Sequence, residues 1–170
     1  MLHPLVAQLR FTRSEFRRAL VGLTEAEARQ RFLPMNCISW NVGHLAWQEQ
    51  RYFVFFARNK LPLPQISTLF AYGAPASTPS LHEMRTAWET IMREADLWLG
   101  TLTVAKLQEH VVVDGQATPY LFGSLLQRVI YHYWYHSGEN LAIRQMLGHA
   151  DLPEFVGDID GEAPYRPELS

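Results

Sequence analysis

Residues Tyr131–His149 read YHYWYHSGENLAIRQMLGH, and the spacing within this stretch decides the fold. Leu125, Val129, His132, His136, Glu139, Ile143 and Leu147 recur at three- and four-residue steps. An α-helix turns once in ~3.6 residues, so these side chains form one stripe. The stripe is apolar at both ends and polar in the middle. That pattern predicts a core helix with a small polar site set into its buried face. His132 and His136 stand one turn apart on it, a spacing at which two imidazoles can share one metal ion.

Working outward, the rest of the chain supplies three more substantial helices. Leu2, Leu5, Val6, Leu9, Phe16, Leu20 and Leu23 give a first amphipathic helix over about 3–22. Thr24 and Glu27 form a capping box that opens a short piece near 25–31, which Pro34 ends. Ser39 is the expected N-cap of a helix over about 39–58, SWNVGHLAWQEQRYFVFFAR, apolar nearly all round and therefore packed on two sides. Within it Gly43 would permit close approach of another backbone. Residues 59–79 carry Pro62, Pro64, Gly73, Pro75 and Pro79 and read as a long loop. Ser80 and Glu83 cap a helix running to about 99, with Gly100 as its stop. Val111–Val113 with Asp114-Gly115 reads as half a small hairpin or a turn. Thr118-Pro119 is expected to open the fourth long helix, which runs to about 147 with Gly148 as its stop.

These elements predict an all-α four-helix bundle over residues 1–150, with a long crossover loop, followed by an irregular tail over 151–170. Composition agrees. The 170 residues suit one domain, and 48% hydrophobic against 19% charged residues allows a sizeable core. The net charge of −2 offers no basic excess for nucleic acid. No apolar run reaches the ~18 residues that span a bilayer, and charges interrupt the first twenty residues too often for a secretory signal. Cys37 is the only cysteine, so no intrachain disulfide can form, which fits a cytoplasmic location.

His44 lies on the second long helix, on the stripe of Trp40, Trp47/Gln48 and Arg51. Adjacent bundle helices lie ~8–10 Å apart, so His44, His132 and His136 can meet at one divalent ion. Three neutral imidazoles leave coordination positions open for a visitor. Imidazole donors suit zinc, nickel or iron. His3, His82, His110 and His149 lie at termini, a surface turn, a loop and a helix end.

The early SWNVGHLAWQEQRYF and the late HYWYHSGENLAIRQMLGH together resemble the DinB-like/YfiT-like superfamily. The likeness rests on the W-x-x-x-H pattern of Trp40 and His44, the HxxxH pair and Leu147-Gly148, and extends over most of residues 1–150. It implies a four-helix bundle whose divalent metal is held by His44, His132 and His136. It also implies a metal-dependent transferase or hydrolase, with a low-molecular-weight thiol held as thiolate and directed at a small electrophile. The alternative is a non-catalytic, stress-related protein that binds a metal or small ligand. One departure stands out. Many members follow the pair with Arg-Gly-Gln, whereas this chain has Ser137, Gly138 and Glu139. Glu139 is the candidate for proton handling, or for a hydrogen bond to a ligand histidine. Trp40, Trp47, Tyr131, Trp134 and Tyr135 are candidates to line a pocket. Tyr131, Trp134, Gly138 and Leu141 form a second face on the fourth helix, on which a homodimer is expected.

Overall fold

The computed structural model describes residues 2–154 and 156–166. Helix α1 spans Pro4–Ala19, with His3 as its N-cap accepting the Leu5 N–H at Nδ1. The short α2, Glu25–Arg29, carries the complete Thr24/Glu27 capping box. Next come α3 (Ile38–Glu49), a π-helical turn (Gln50–Phe55) and α4 (Phe56–Arg58), which together form one rod. Helix α5 is Pro64–Leu69 and α6 is Leu81–Leu99. After α7 (Val104–Leu107), strands β1 (His110–Val113) and β2 (Gln116–Leu121) pair as an antiparallel hairpin. Helix α8 is Phe122–Met146, and α9, Ile159–Glu162, lies in the tail. Among the described residues the fold is helical apart from that one hairpin, and no helix is long and apolar enough to cross a membrane.

Four sequence expectations are corrected, and a fifth, the hairpin at Asp114-Gly115, is filled out. The second long helix starts at Ile38, after Cys37, which makes no side-chain cap; Ser39 sits inside the first turn, its hydroxyl 3.3 Å from the Cys37 thiol. The stretch 59–79 is not all loop, because Pro64 initiates α5 at its first position, where the missing N–H costs little. Thr118 and Pro119 belong to β2, and α8 begins three residues later than Pro119, at Phe122. Asp114 and Gly115 both have positive φ, 51° and 77°, so the turn is of the kind that matches strand twist and completes the hairpin. Finally, an added Cβ on Gly43 would meet Met84 Sδ and the Phe70 ring at 2.8 Å each, so its neighbours are side chains rather than another backbone.

The C-terminus of α8 closes as read. Gly148, at φ 88°, donates to the Gln145 carbonyl and His149 to that of Arg144, both at 3.0 Å, which forms a Schellman motif. Helix α3 is buried along its whole length. Helix α6 covers one side, α8 another, and Ile66 and Phe70 of the α5 segment a third. The apolar surplus of this helix is therefore absorbed within the chain. On α8, Tyr131 and Gly138 are exposed, while Trp134 packs 6.3 Å from Phe11. The tail lies along α1: Gln8 donates to the Ala163 carbonyl, and the Gly157 N–H donates to Glu15.

One buried polar network ties the four long helices together. Arg13 of α1 donates Nε–H and Nη2–H to the two oxygens of Glu49 on α3, and Nη1–H to Asp96 on α6 at 2.7 Å. Tyr133 of α8 donates its hydroxyl to Glu49, and Trp88 of α6 donates its indole N–H to Tyr133. Burial works against the Arg13 charge, but Glu49 outweighs it and holds the guanidinium protonated. Burial, and then the Glu49 carboxylate, raise the Tyr133 hydroxyl well above its ordinary range. Truncating one partner strands the others in a dry interior. Glu49→Ala is expected to destabilise the protein by about 3–5 kcal/mol, read as the shift in urea midpoint. A loss below about 1 kcal/mol would show that the network does not hold the bundle.

Candidate metal centre

Helices α3 and α8 run antiparallel, and their shared seam is polar. Asn41 Nδ2 donates to Asn140 Oδ1 at 2.8 Å and to Glu139 Oε2 at 3.0 Å. One turn along α3, His44 faces His136 and His132, with ring centroids 5.4 and 5.0 Å away. A further turn on, Gln48 Oε1 lies 2.9 Å from His132 Nδ1. Glu49 then meets Tyr133.

The three histidines therefore converge as the spacing predicts. One nitrogen from each lies within 4.8 Å of the other two. His44 and His136 are buried and His132 is partly buried.

The second ring nitrogens show how the cluster is set. His44 Nδ1 lies 2.7 Å from the Phe70 carbonyl, which can only accept, so Nδ1 carries the proton. His132 Nδ1 donates in the same way to the Gln48 amide oxygen, and His136 Nδ1 donates to Glu139 Oε2 at 2.7 Å. Each neutral ring then presents Nε2 as a lone pair. His132 Nε2 and His136 Nε2 are 3.0 Å apart. Two lone pairs at that distance repel unless a proton or a metal ion lies between them. Nitrogen ligands of a tetrahedral zinc stand about 3.3 Å from one another. The donor set and its tautomers thus fit a divalent metal, with outer hydrogen bonds of the kind that orient ligand histidines.

The surroundings keep His44 and His132 neutral. Burial, followed by the charge-unfavourable neighbours His136 and His44, lowers the His132 pKa to about 3. Burial lowers that of His44 too, partly offset by the Phe70 carbonyl. Trp40 and Trp47 stack on the two sides of His44, at 4.9 and 5.1 Å. Tyr135 is exposed and lies against His136 at 5.0 Å and His132 at 6.5 Å, which marks the open side of the centre. Tyr131 and Trp134 point elsewhere: Tyr131 is exposed, and Trp134 faces α1. The remaining histidines lie outside the cluster. His3 caps α1, His110 lies 2.9 Å from the Thr118 carbonyl, and His149 bridges Arg144 and Glu27.

Sequence reasoning did not find Asn41, Gln48 or the Phe70 carbonyl as supports of the cluster. For Gln48 a signal existed, since it sits one turn from His44 on the same stripe. Phe70 offered none, because its carbonyl reaches His44 only through the fold of the α5 segment.

A family model described as the DinB superfamily matches residues 8–139. No curated protein matches the chain. The family match covers most of the chain, α3 and α6 in full, α1 and α8 in part, and each of the three histidines, so the chain belongs to the DinB superfamily.

The tautomer pattern has a consequence for the metal-free protein. Above about pH 6.5 His44 and His132 are neutral in both the folded and unfolded chain. As pH falls toward about 3, the unfolded chain takes up protons that His132 in the folded chain refuses. Stability is present above the unfolded value and is lost on acidification, by roughly 1 kcal/mol per pH unit for each such ring. Urea unfolding of metal-free protein between pH 7.5 and 5 is expected to show this slope, and His132→Gln to flatten it. An unchanged slope in the variant would contradict the assignment.

Proposed function

We propose that this DinB-superfamily protein binds one divalent metal ion through His44, His132 and His136 and uses it as a thiol S-transferase on small electrophiles. The observation that supports the reading is the set of three imidazoles with every Nδ1 proton committed to an oxygen and every Nε2 left as a donor. Bound there, zinc, nickel or iron supplies a Lewis acid that favours the deprotonated form of a thiol. In the overall reaction a bond forms between the thiol sulfur and an electrophilic carbon. The bond from that carbon to its leaving group breaks, the leaving group takes the electron pair, and the thiol proton passes to solvent.

The chain's own residues do the positioning. Gln48, Glu139 and the Phe70 carbonyl hold the Nδ1 protons and set the three ring planes. Asn41 steadies Glu139 by donating to the same carboxylate oxygen that accepts from His136. In this reading Glu139 acts first as the positioning group for His136. Trp40 and Trp47 exclude water from both faces of His44. The substrate enters beside His132 and Tyr135, the less buried edge of the cluster.

Elemental analysis of protein purified without a histidine tag is expected to give about one divalent metal per chain. His136→Ala is expected to lose most of it. Cobalt-substituted protein is expected to change its visible spectrum when a small thiol is added. Equal metal content in the variant would overturn the site, and a spectrum indifferent to thiols would overturn the transferase reading.

A further inference from the structure

Around the bundle α1 packs on α8, α8 on α3, and α3 on α6. The remaining seam, between α6 and α1, therefore lies across the bundle from the three histidines. Long side chains rather than close helix packing bridge it. A groove of about 520 Å³ opens there, lined by Arg10, Arg13 and Arg17 of α1 and by Glu89, Arg93 and Asp96 of α6. The buried Met92 side chain adds an apolar patch. The volume suits a small molecule.

Contacts across the seam fix how these groups sit. Arg13 Nη1 donates to Asp96 Oδ1 at 2.7 Å, and Arg10 Nη2 lies 3.9 Å from Asp96 Oδ2, so two arginines meet at one carboxylate. The Arg17 guanidinium carbon lies 5.5 Å from the centre of the Trp88 ring. Passing from residue 13 to 17 on α1 thus matches passing from 96 to 88 on α6, and the two helices run antiparallel. Arg93, one turn from Asp96 and one from Glu89, falls between these two levels. Its Nη2 donates to Thr90 Oγ1 at 3.0 Å.

The two ends of the groove differ in charge. At the Arg10–Arg13 end, Asp96 and Glu49 balance the two cations. At the other end Arg17 and Arg93, both exposed, share the groove with Glu89 alone. None of these three is in an ion pair among the described residues. Like charges at three- and four-residue steps along one helix face, as in Arg10, Arg13 and Arg17, cost stability, and an anion in the groove relieves that cost. A carboxylate brings one charge and matches one guanidinium fork, whereas a phosphate monoester brings nearly two charges and three acceptor oxygens. Two guanidiniums match the second. Toward Asp96 donors and acceptors are mixed, which suits hydroxyl groups. We infer that the α1–α6 groove binds a phosphate monoester of a small polyhydroxylated molecule, its phosphate held by Arg17 and Arg93. The site is independent of the metal centre and of the chemistry proposed there.

Calorimetry on the full-length protein tests this with three sugars of one skeleton: glucose 6-phosphate, glucuronate and glucose. About one glucose 6-phosphate per chain is expected, bound about tenfold more tightly than glucuronate at low salt, with glucose weaker still. The affinity is expected to fall as salt is raised. Arg17→Gln/Arg93→Gln is expected to weaken glucose 6-phosphate binding about tenfold. Both side chains are exposed, so the urea midpoint is expected to stay near that of wild type. Glu89→Gln, which removes the opposing carboxylate, is expected to tighten binding. Glucuronate or inorganic phosphate bound as tightly as glucose 6-phosphate would reduce the groove to a general anion surface and overturn the assignment. Absent binding, unchanged or weaker binding in Glu89→Gln, or binding undiminished in the double variant, as for a phosphate seated on the metal, would overturn it too.

Discussion

The buried Arg13–Glu49 pair is the constraint on which the rest of the structure depends. Its guanidinium and carboxylate are 5% and 0% exposed, so each would be costly alone, and together they also satisfy Asp96 and Tyr133. The consequence is geometric as much as energetic. Glu49 directly follows Gln48, and Tyr133 directly follows His132, so the hydrogen bond between Tyr133 and Glu49 sets the register of α8 on α3 one residue from the Gln48–His132 contact. A slip of one turn would separate His44 from its pair and break the ionic network at once. Fold and site share one register.

Three consecutive residues illustrate how much this short segment carries. Gln48 reaches α8 and orients His132, and Glu49 reaches α1 and α8. Gln50 reaches the α5 segment, exchanging hydrogen bonds with both the N–H and carbonyl of Leu63. The π-helical turn begins at Gln50, and such turns are frequent where a helix must re-aim side chains at a functional site. The α5 segment then returns over α3, where only a glycine at position 43 leaves space for Phe70. Phe70 in turn supplies the carbonyl that holds the His44 Nδ1 proton. A residue far from the histidines in sequence thereby fixes a tautomer in the cluster.

The long-range periodicities were legible in the sequence because each long helix buries a stripe, and burial imposes the 3.6-residue repeat. The converging histidines were legible for the same reason: His132 and His136 are polar interruptions of an otherwise apolar stripe, and His44 repeats the interruption on α3. What could not be read is non-local. Helix α5 is short and proline-initiated, so its six residues carry no periodic signal against the flanking prolines. Thr118-Pro119 carries a helix-start signal that the hairpin pairing overrides, since Ala117 and Gln116 are tied to Val112 and Val113. Cys37 caps nothing, so the α3 start has no side-chain signature, whereas packing places it. The ionic network was invisible because Arg13 and Glu49 each sit among other charged or polar residues in sequence, and only the assembled bundle distinguishes them.

The central claim is that three Nε2 atoms, already oriented by Phe70, Gln48 and Glu139, bind one ion and leave room for another ligand. X-ray absorption at the metal edge of protein loaded with one equivalent of zinc tests it most directly. The account predicts three imidazole scatterers at about 2.0–2.1 Å with at least one further light-atom ligand. A shell containing fewer than three imidazoles, or one closed by four protein ligands, would contradict it.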